Sequence, residues 1–134
     1  MLIDSGPLIA LFDRSDRFHQ PILAFLQGFE GRLVSSWPVL TEVSHLLDFN
    51  LRAQIDFLRW VERGAIEVAE LSRKDLEGIV EMMERYINVP MDLADATLLY
   101  LAQKERIGRI VTIDRDFDIY RMDDKRMLEN IFSY

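Results

Sequence analysis

Residues 1–12, MLIDSGPLIALF, run from two apolar residues through an acid and Ser-Gly-Pro into a second apolar stretch. This pattern predicts a short strand, Leu2-Ile3, and behind it a short helix over Gly6–Phe12, with Pro7 suited to the first helical turn. Asp4 sits at the junction, where a side-chain oxygen can cap helix N–H groups that lack partners. Residues 109–114, RIVTID, repeat the arrangement near the other end of the chain: a buried strand ending in an acid.

The intervening segments read mostly as helices. HQPILAFLQGF (19–29) has apolar residues at helical spacing. Pro38 starts a helix whose inner face is expected to carry Val39, Leu40, Val43, Leu46 and Leu47. Residues 51–63 form an amphipathic helix with Gly64 as its stop. Ser72–Tyr86 is a helix with Ser72 and Asp75 near its start, and MDLADATLLYLAQKERIG (91–108) is a long helix closed by Gly108. Leu33-Val34, AIEVAEL (65–71) and LENIF (128–132) read as further strands. This alternation predicts an α/β sandwich around a mainly parallel sheet. Ligands of such sheets bind outside the carboxyl ends of the strands, where Asp4 and Asp114 both lie.

The 134 residues match one domain, 1–134, with no low-complexity tract, repeat or linker inside it. There is no cysteine, hence no disulfide framework and no zinc-thiolate site. No apolar run reaches the roughly 20 residues that span a bilayer, and the N-terminus lacks a signal-peptide pattern, so a soluble, cytoplasmic protein is expected. The formal charge of −7, from 16 Lys+Arg against 23 Asp+Glu, argues against broad electrostatic binding to nucleic acid. A polyanionic ligand would need a local basic rim or bound cations.

Acids on apolar faces stand out from the rest. Glu42 is flanked by Val39 and Leu46 at helical spacing. Asp95 interrupts LADATLLYLA, where an unpaired charge costs several kcal/mol, so a metal or partner must compensate it. Asp92 lies one turn earlier and suits the N-cap of that helix; Asp114 and Asp116 lie in TIDRDF, either as turn and cap residues or as part of a site. Taken together, two strand-end aspartates and two acids on helix faces make an all-oxygen constellation that like-charge repulsion opposes unless a cation is bound. Such a donor set suits Mg²⁺ or Mn²⁺, and it has no thiolate or histidine cluster to favour zinc.

Four blocks, LIDSGPLIALFDRSDRFH, PVLTEVSHLL, MDLADATLLYLA and RIVTIDRDFDIYR, resemble the PIN-domain nucleases, and within them the VapC-like toxins of prokaryotic toxin–antitoxin modules. The resemblance covers almost the whole chain. It implies a PIN-like three-layer sandwich and a metal-dependent endoribonuclease with Asp4, Glu42, Asp95 and Asp114 as an acidic quartet. In that reading Asp4, Asp95 and Asp114 ligate the ion and Glu42 holds a water on it. Asp116 matches a frequent additional acid, and Ser5 and Thr112 match hydroxyl residues that accompany the site. Ser5-Gly6 and Asp92 depart from the commoner pattern without removing a quartet member. The resemblance also implies a homodimer and a cognate antitoxin as partners.

Arg14, Arg17 and Arg115 follow strand-end acids closely enough to reach an RNA backbone at the cleft rim. His19 is expected to cap a helix start, and His45 to be a partly exposed helix residue. Trp37, Phe49, Phe57 and Trp60 read first as core or subunit packing. The competing functional reading is a non-catalytic PIN-like module binding protein or RNA. A phosphoryl-transfer receiver ranks last, because no lysine is suitably placed.

Overall fold

The computed structural model describes residues 1–134. In chain order the elements are β1 (Leu2–Ile3), α1 (Ser5–Phe12), α2 (His19–Gln27), β2 (Val34–Ser35), α3 (Trp37–Leu46), α4 (Leu51–Glu62), β3 (Glu67–Val68), α5 (Leu76–Arg85), α6 (Leu93–Lys104), β4 (Arg109–Val111) and β5 (Glu129–Asn130). Single 3₁₀ turns, Arg73–Asp75 and Arg115–Asp118, precede α5 and follow β4. No helix is long and apolar enough to cross a membrane.

The five strands form one sheet in the order β3-β2-β1-β4-β5, and every pairing is parallel. The expected mainly parallel sheet is therefore wholly parallel. The chain builds outward from β1 through β2 to β3, then crosses back to place β4 on the opposite side of β1. Crossovers between parallel strands are right-handed almost without exception, so winding in opposite directions from β1 puts helices on both faces, as in a three-layer sandwich. The reversal also opens a crevice at the carboxyl ends of β1 and β4. Leu2 and Ile3 pair with Ile110 and Val111, and the Asp4 N–H donates to the Val111 carbonyl at 3.0 Å, so the two strand ends are held in register.

Burial explains the strand sequences. Leu2, Ile3, Ile110 and Val111 are fully buried and join one core cluster with Leu8, Val39, Val43, Phe57, Leu98 and Leu101. Strand β3 is shorter than the seven-residue AIEVAEL segment. Its partner β2 offers only the Val34↔Glu67 and Ser35↔Val68 register, flanked by bonds to Leu33 and Ser35, so pairing ends where the partner does. On α3 the buried arc centres on Val39, Val43 and Leu47; Leu46, expected inside, lies at its margin beside Glu42 and is exposed. Phe57 is buried and Trp60 packs edge-on against Phe12, whereas Trp37 and Phe49 are exposed.

Helix ends follow local chemistry. Gly64, at φ +92°, closes α4, with the Gly64 and Ala65 N–H groups bonded back to Val61 and Trp60. Helix α6 stops at Lys104, four residues before Gly108. Arg106 takes the left-handed position at φ +55°, and the Ile107 N–H reaches the Ala102 carbonyl, so an arginine does what the glycine was expected to do. Ser72 and Asp75 form a reciprocal capping box. Asp75 also accepts from the Tyr100 hydroxyl at 2.7 Å and from Lys104 at 3.1 Å, tying the start of α5 to α6.

Gly78 allows that contact, because a Cβ there would lie 2.6 Å from Cε1 of Tyr100. The ring is anchored through its hydroxyl and cannot swing away freely. Alanine gains about 1 kcal/mol in helix propensity, but overpacking against an anchored ring costs about 1–3 kcal/mol. Gly78→Ala should therefore lower stability by about 1 kcal/mol in denaturant titration; a gain in stability would show that the ring yields.

Candidate metal centre

Asp4 is the N-cap of α1, so the capping role and the cluster role fall on one residue. Its carboxylate is buried and held on both sides: Oδ1 accepts from the Ser5 N–H at 2.7 Å and Oδ2 from the Thr112 hydroxyl at 2.9 Å. The same Thr112 oxygen accepts from the Asp114 N–H at 3.0 Å, linking the ends of β1 and β4 through one hydroxyl. Asp95, half-buried on the first turn of α6, and exposed Asp114 complete the group. Ligand oxygens from Asp4, Asp95 and Asp114 lie within 4.8 Å of one another.

Glu42 is tied to this group through Ser5, whose hydroxyl donates to its Oε1 at 2.9 Å. Asp92 caps α6, accepting from the Asp95 N–H at 2.8 Å. It is exposed and one turn from the cluster, as the capping role requires. Asp116 donates its N–H to Asp114 Oδ1 at 2.9 Å, which fixes the Asp114 side chain over the 3₁₀ turn.

The cluster resists ionisation. Burial pushes Asp4 up to about 6, and the Asp114 and Glu42 charges add to the shift against the opposing Ser5 and Thr112 hydrogen bonds. Burial pushes Asp95 up to about 8, reinforced by the charges of Asp4, Asp92, Asp114 and Glu42. Asp116 is raised as well, by burial and then by Asp114 and Asp92. None of Asp4, Glu42, Asp95 or Asp114 forms an ion pair with a lysine or arginine. Crowded, unneutralised carboxylates with no nitrogen or sulfur donor among them fit a hard divalent cation such as Mg²⁺ or Mn²⁺.

Residues 1–123 match the family model of the PIN domain. The chain belongs to the PIN domain family. Ribonuclease VapC26 of Mycobacterium tuberculosis (strain ATCC 25618 / H37Rv) is 28% identical to this PIN domain over 117 residues, covering 86% of this chain and 87% of the relative. The crystal structure of Mycobacterium tuberculosis VapC20, described as a sarcin–ricin loop cleaving toxin, superposes with a TM-score of 0.80 at 20% identity, over 88% of this chain and 92% of that one. The latter likeness is one of fold.

Beside Glu42 and Asp92 of this PIN domain, Trp37, Thr41, His45 and Leu93 line an open groove of about 580 Å³. His45 thus shares a groove with Glu42, as an exposed helix residue. His19 does not cap: Phe18 precedes α2, Asp16 Oδ1 takes the Phe18 N–H at 2.8 Å, and the His19 ring faces the Ala10 carbonyl at 2.8 Å. Aspartate wins that position because its oxygen accepts two residues ahead, whereas the imidazole is carried back towards α1. Arg14 and Arg17 are exposed between α1 and α2, with Arg17 stacked 4.4 Å over Phe18; Arg115 is exposed between Asp114 and Asp116.

Two supporting residues carry no signal in the sequence. Asn130 pairs its side-chain amide with the backbone of Thr112: Nδ2 donates to the Thr112 carbonyl at 3.0 Å and Oδ1 accepts its N–H at 3.3 Å. The amide prolongs the β4–β5 ladder by one residue and steadies the hydroxyl that holds Asp4. Tyr120, nearly inaccessible, brings its hydroxyl to 3.4 Å from Asp95 Oδ2 and 3.2 Å from the Pro90 carbonyl.

Proposed function

We propose that this PIN domain is a divalent-cation-dependent endoribonuclease, the toxin of a toxin–antitoxin pair, acting in the cytoplasm as a homodimer and silenced by a cognate antitoxin. The convergence of Asp4, Asp95 and Asp114 at the switch point of the sheet carries this reading. The relative named as a ribonuclease and the fold shared with a toxin that cleaves RNA point to the same chemistry.

In this reading Asp4, Asp95 and Asp114 hold Mg²⁺ or Mn²⁺, which when bound lowers the pKa of a water and offsets phosphodiester charge. The Ser5 N–H and the Thr112 hydroxyl fix the Asp4 carboxylate by donating to its two oxygens. Glu42, braced by Ser5, is the acceptor at the groove wall that orients a water for in-line attack. Asp92 and Asp116 support through backbone bonds. Arg14, Arg17 and Arg115 contact the RNA backbone, and their cations offset the repulsion expected from a chain of net charge −7. Each Arg→Ala change should weaken RNA binding uniformly across sequences and reduce its salt slope by about one; unchanged slopes in filter binding would remove these residues from the interface.

The deciding experiment is digestion of a mixed RNA pool, with a transfer-RNA panel alongside, by purified antitoxin-free protein in Mg²⁺, Mn²⁺ or chelator. Cleavage confined to the cation-containing reactions is expected. Cation binding without cleavage of any RNA would favour a binding module instead.

A further inference from the structure

We infer that Tyr120 is a positioning residue for Asp95, holding that carboxylate in place for a divalent cation through its phenol hydroxyl. The inference rests on the metal reading of the acidic cluster and assigns a role to a residue outside the quartet.

The ring of Tyr120 is immobilised. It lies edge-on to Tyr86 at 5.1 Å and to Phe117 at 5.3 Å, and is essentially excluded from solvent. Tyr86 is itself locked, because its hydroxyl accepts the Arg121 N–H at 2.6 Å and donates to the Arg121 carbonyl at 3.3 Å. Packing and hydrogen bonds on both sides of Tyr120 therefore set where its hydroxyl points.

That hydroxyl has one proton and two acceptors, Asp95 Oδ2 at 3.4 Å and the Pro90 carbonyl at 3.2 Å. Both distances are long for an O–H···O bond, the geometry of a donor shared between two acceptors. A phenol against one carboxylate oxygen leaves the other free to face a cation and restricts rotation about the Asp95 side chain. Tyr120 also bridges three segments: the stretch following Asp114 and Asp116, the 87–92 connection through Pro90, and the first turn of α6. It thereby spans the sequence between two of the acids that converge. Outer-shell partners of metal-binding carboxylates usually contribute 10–100-fold to affinity.

The test is Mn²⁺ titration by calorimetry and by the paramagnetic resonance signal of free Mn²⁺, on wild-type protein, Tyr120→Phe, Asp95→Asn and the double variant. Tyr120→Phe keeps the aromatic packing and should weaken Mn²⁺ binding about tenfold. In the Asp95→Asn background the same change should add nothing, because its effect passes through Asp95. A second arm leaves Tyr120 intact: Mg²⁺ should produce a tyrosine ultraviolet difference spectrum in wild type that Asp95→Asn abolishes. Equal Mn²⁺ affinity in wild type and Tyr120→Phe, or Mg²⁺ binding without a tyrosine signal, overturns this inference alone. Failure of wild-type protein to bind Mn²⁺ overturns the metal reading and this inference with it.

Discussion

Asp95→Asn is expected to lower RNA cleavage by more than about 100-fold while raising the stability of the cation-free protein. The first effect follows from its place among the clustered carboxylates: a ligand should matter more than the outer-shell groups whose loss costs 10–100-fold. The second follows from the charge balance. Asp95 is half-buried, faces four other acids and has no basic partner, so its ionised form opposes folding near neutral pH. Asparagine keeps the shape and the backbone N–H that Asp92 caps, and removes the charge. A merely structural acid would show the opposite, a fall in stability with little change in turnover. Melting curves in chelator beside cleavage assays separate the two, and a destabilised but active variant would remove Asp95 from the site.

The second large effect is a coupling between pH and cation. Asp4 and Asp95 have folded pKa values near 6 and near 8, both above the ordinary 3.8. A raised folded value means that the contribution to stability is fully present below about pH 4 and is lost as pH rises through the folded pKa. In chelator, this contribution should decline between about pH 4 and pH 8. Asp4 accounts for about 3 kcal/mol of that loss, at 1.36 kcal/mol per unit, and Asp95 acts in the same direction. Asp75, lowered to about 2 by the Ser72, Tyr100 and Lys104 hydrogen bonds, has the opposite sign, but its window lies below about pH 4.

A divalent cation reverses the trend, because it binds the ionised carboxylates and gains affinity as they lose protons. At a hundredfold excess over its Kd it adds about 2.7 kcal/mol, roughly 10 °C in melting temperature for a chain of this size. The melting-temperature difference between Mg²⁺ and chelator should therefore widen from pH 5 to pH 8. A difference independent of pH would mean that the ion binds elsewhere.

The sequence exposes the parts of this site that depend on local pattern. Asp4 and Asp114 are visible because each ends a buried apolar strand, and Asp95 because it interrupts a helix that is otherwise covered. The supporting contacts depend instead on pairings distant in the chain. Asn130 looks like an ordinary polar residue of a last strand until β5 pairs with β4, and Tyr120 like one more aromatic until it meets Asp95 across 25 residues. Arg106 departs from the expectation placed on Gly108 because a single left-handed residue carries modest strain, which the Ile107–Ala102 bond and the burial of α6 outweigh. The exposure of Leu46 and Trp37 is hidden from the sequence for a similar reason: periodicity assigns a helix its face but does not fix how far the neighbouring elements extend over it.

The strand order has a consequence for biosynthesis. Strand β1 is made before the other four strands, yet it sits at the centre of the sheet, and the Thr112 hydroxyl that holds Asp4 comes from 108 residues further on. The amide that steadies Thr112 comes later still, at Asn130. Contacts at such separation form slowly and only after the intervening chain is made. A nascent chain that ends before β4 has Asp4, Glu42 and Asp95 but not the pairing that brings Asp114 to them. Its acids stay apart until β4 has emerged, so the order of the strands delays assembly of the cleft until the chain is made through β4.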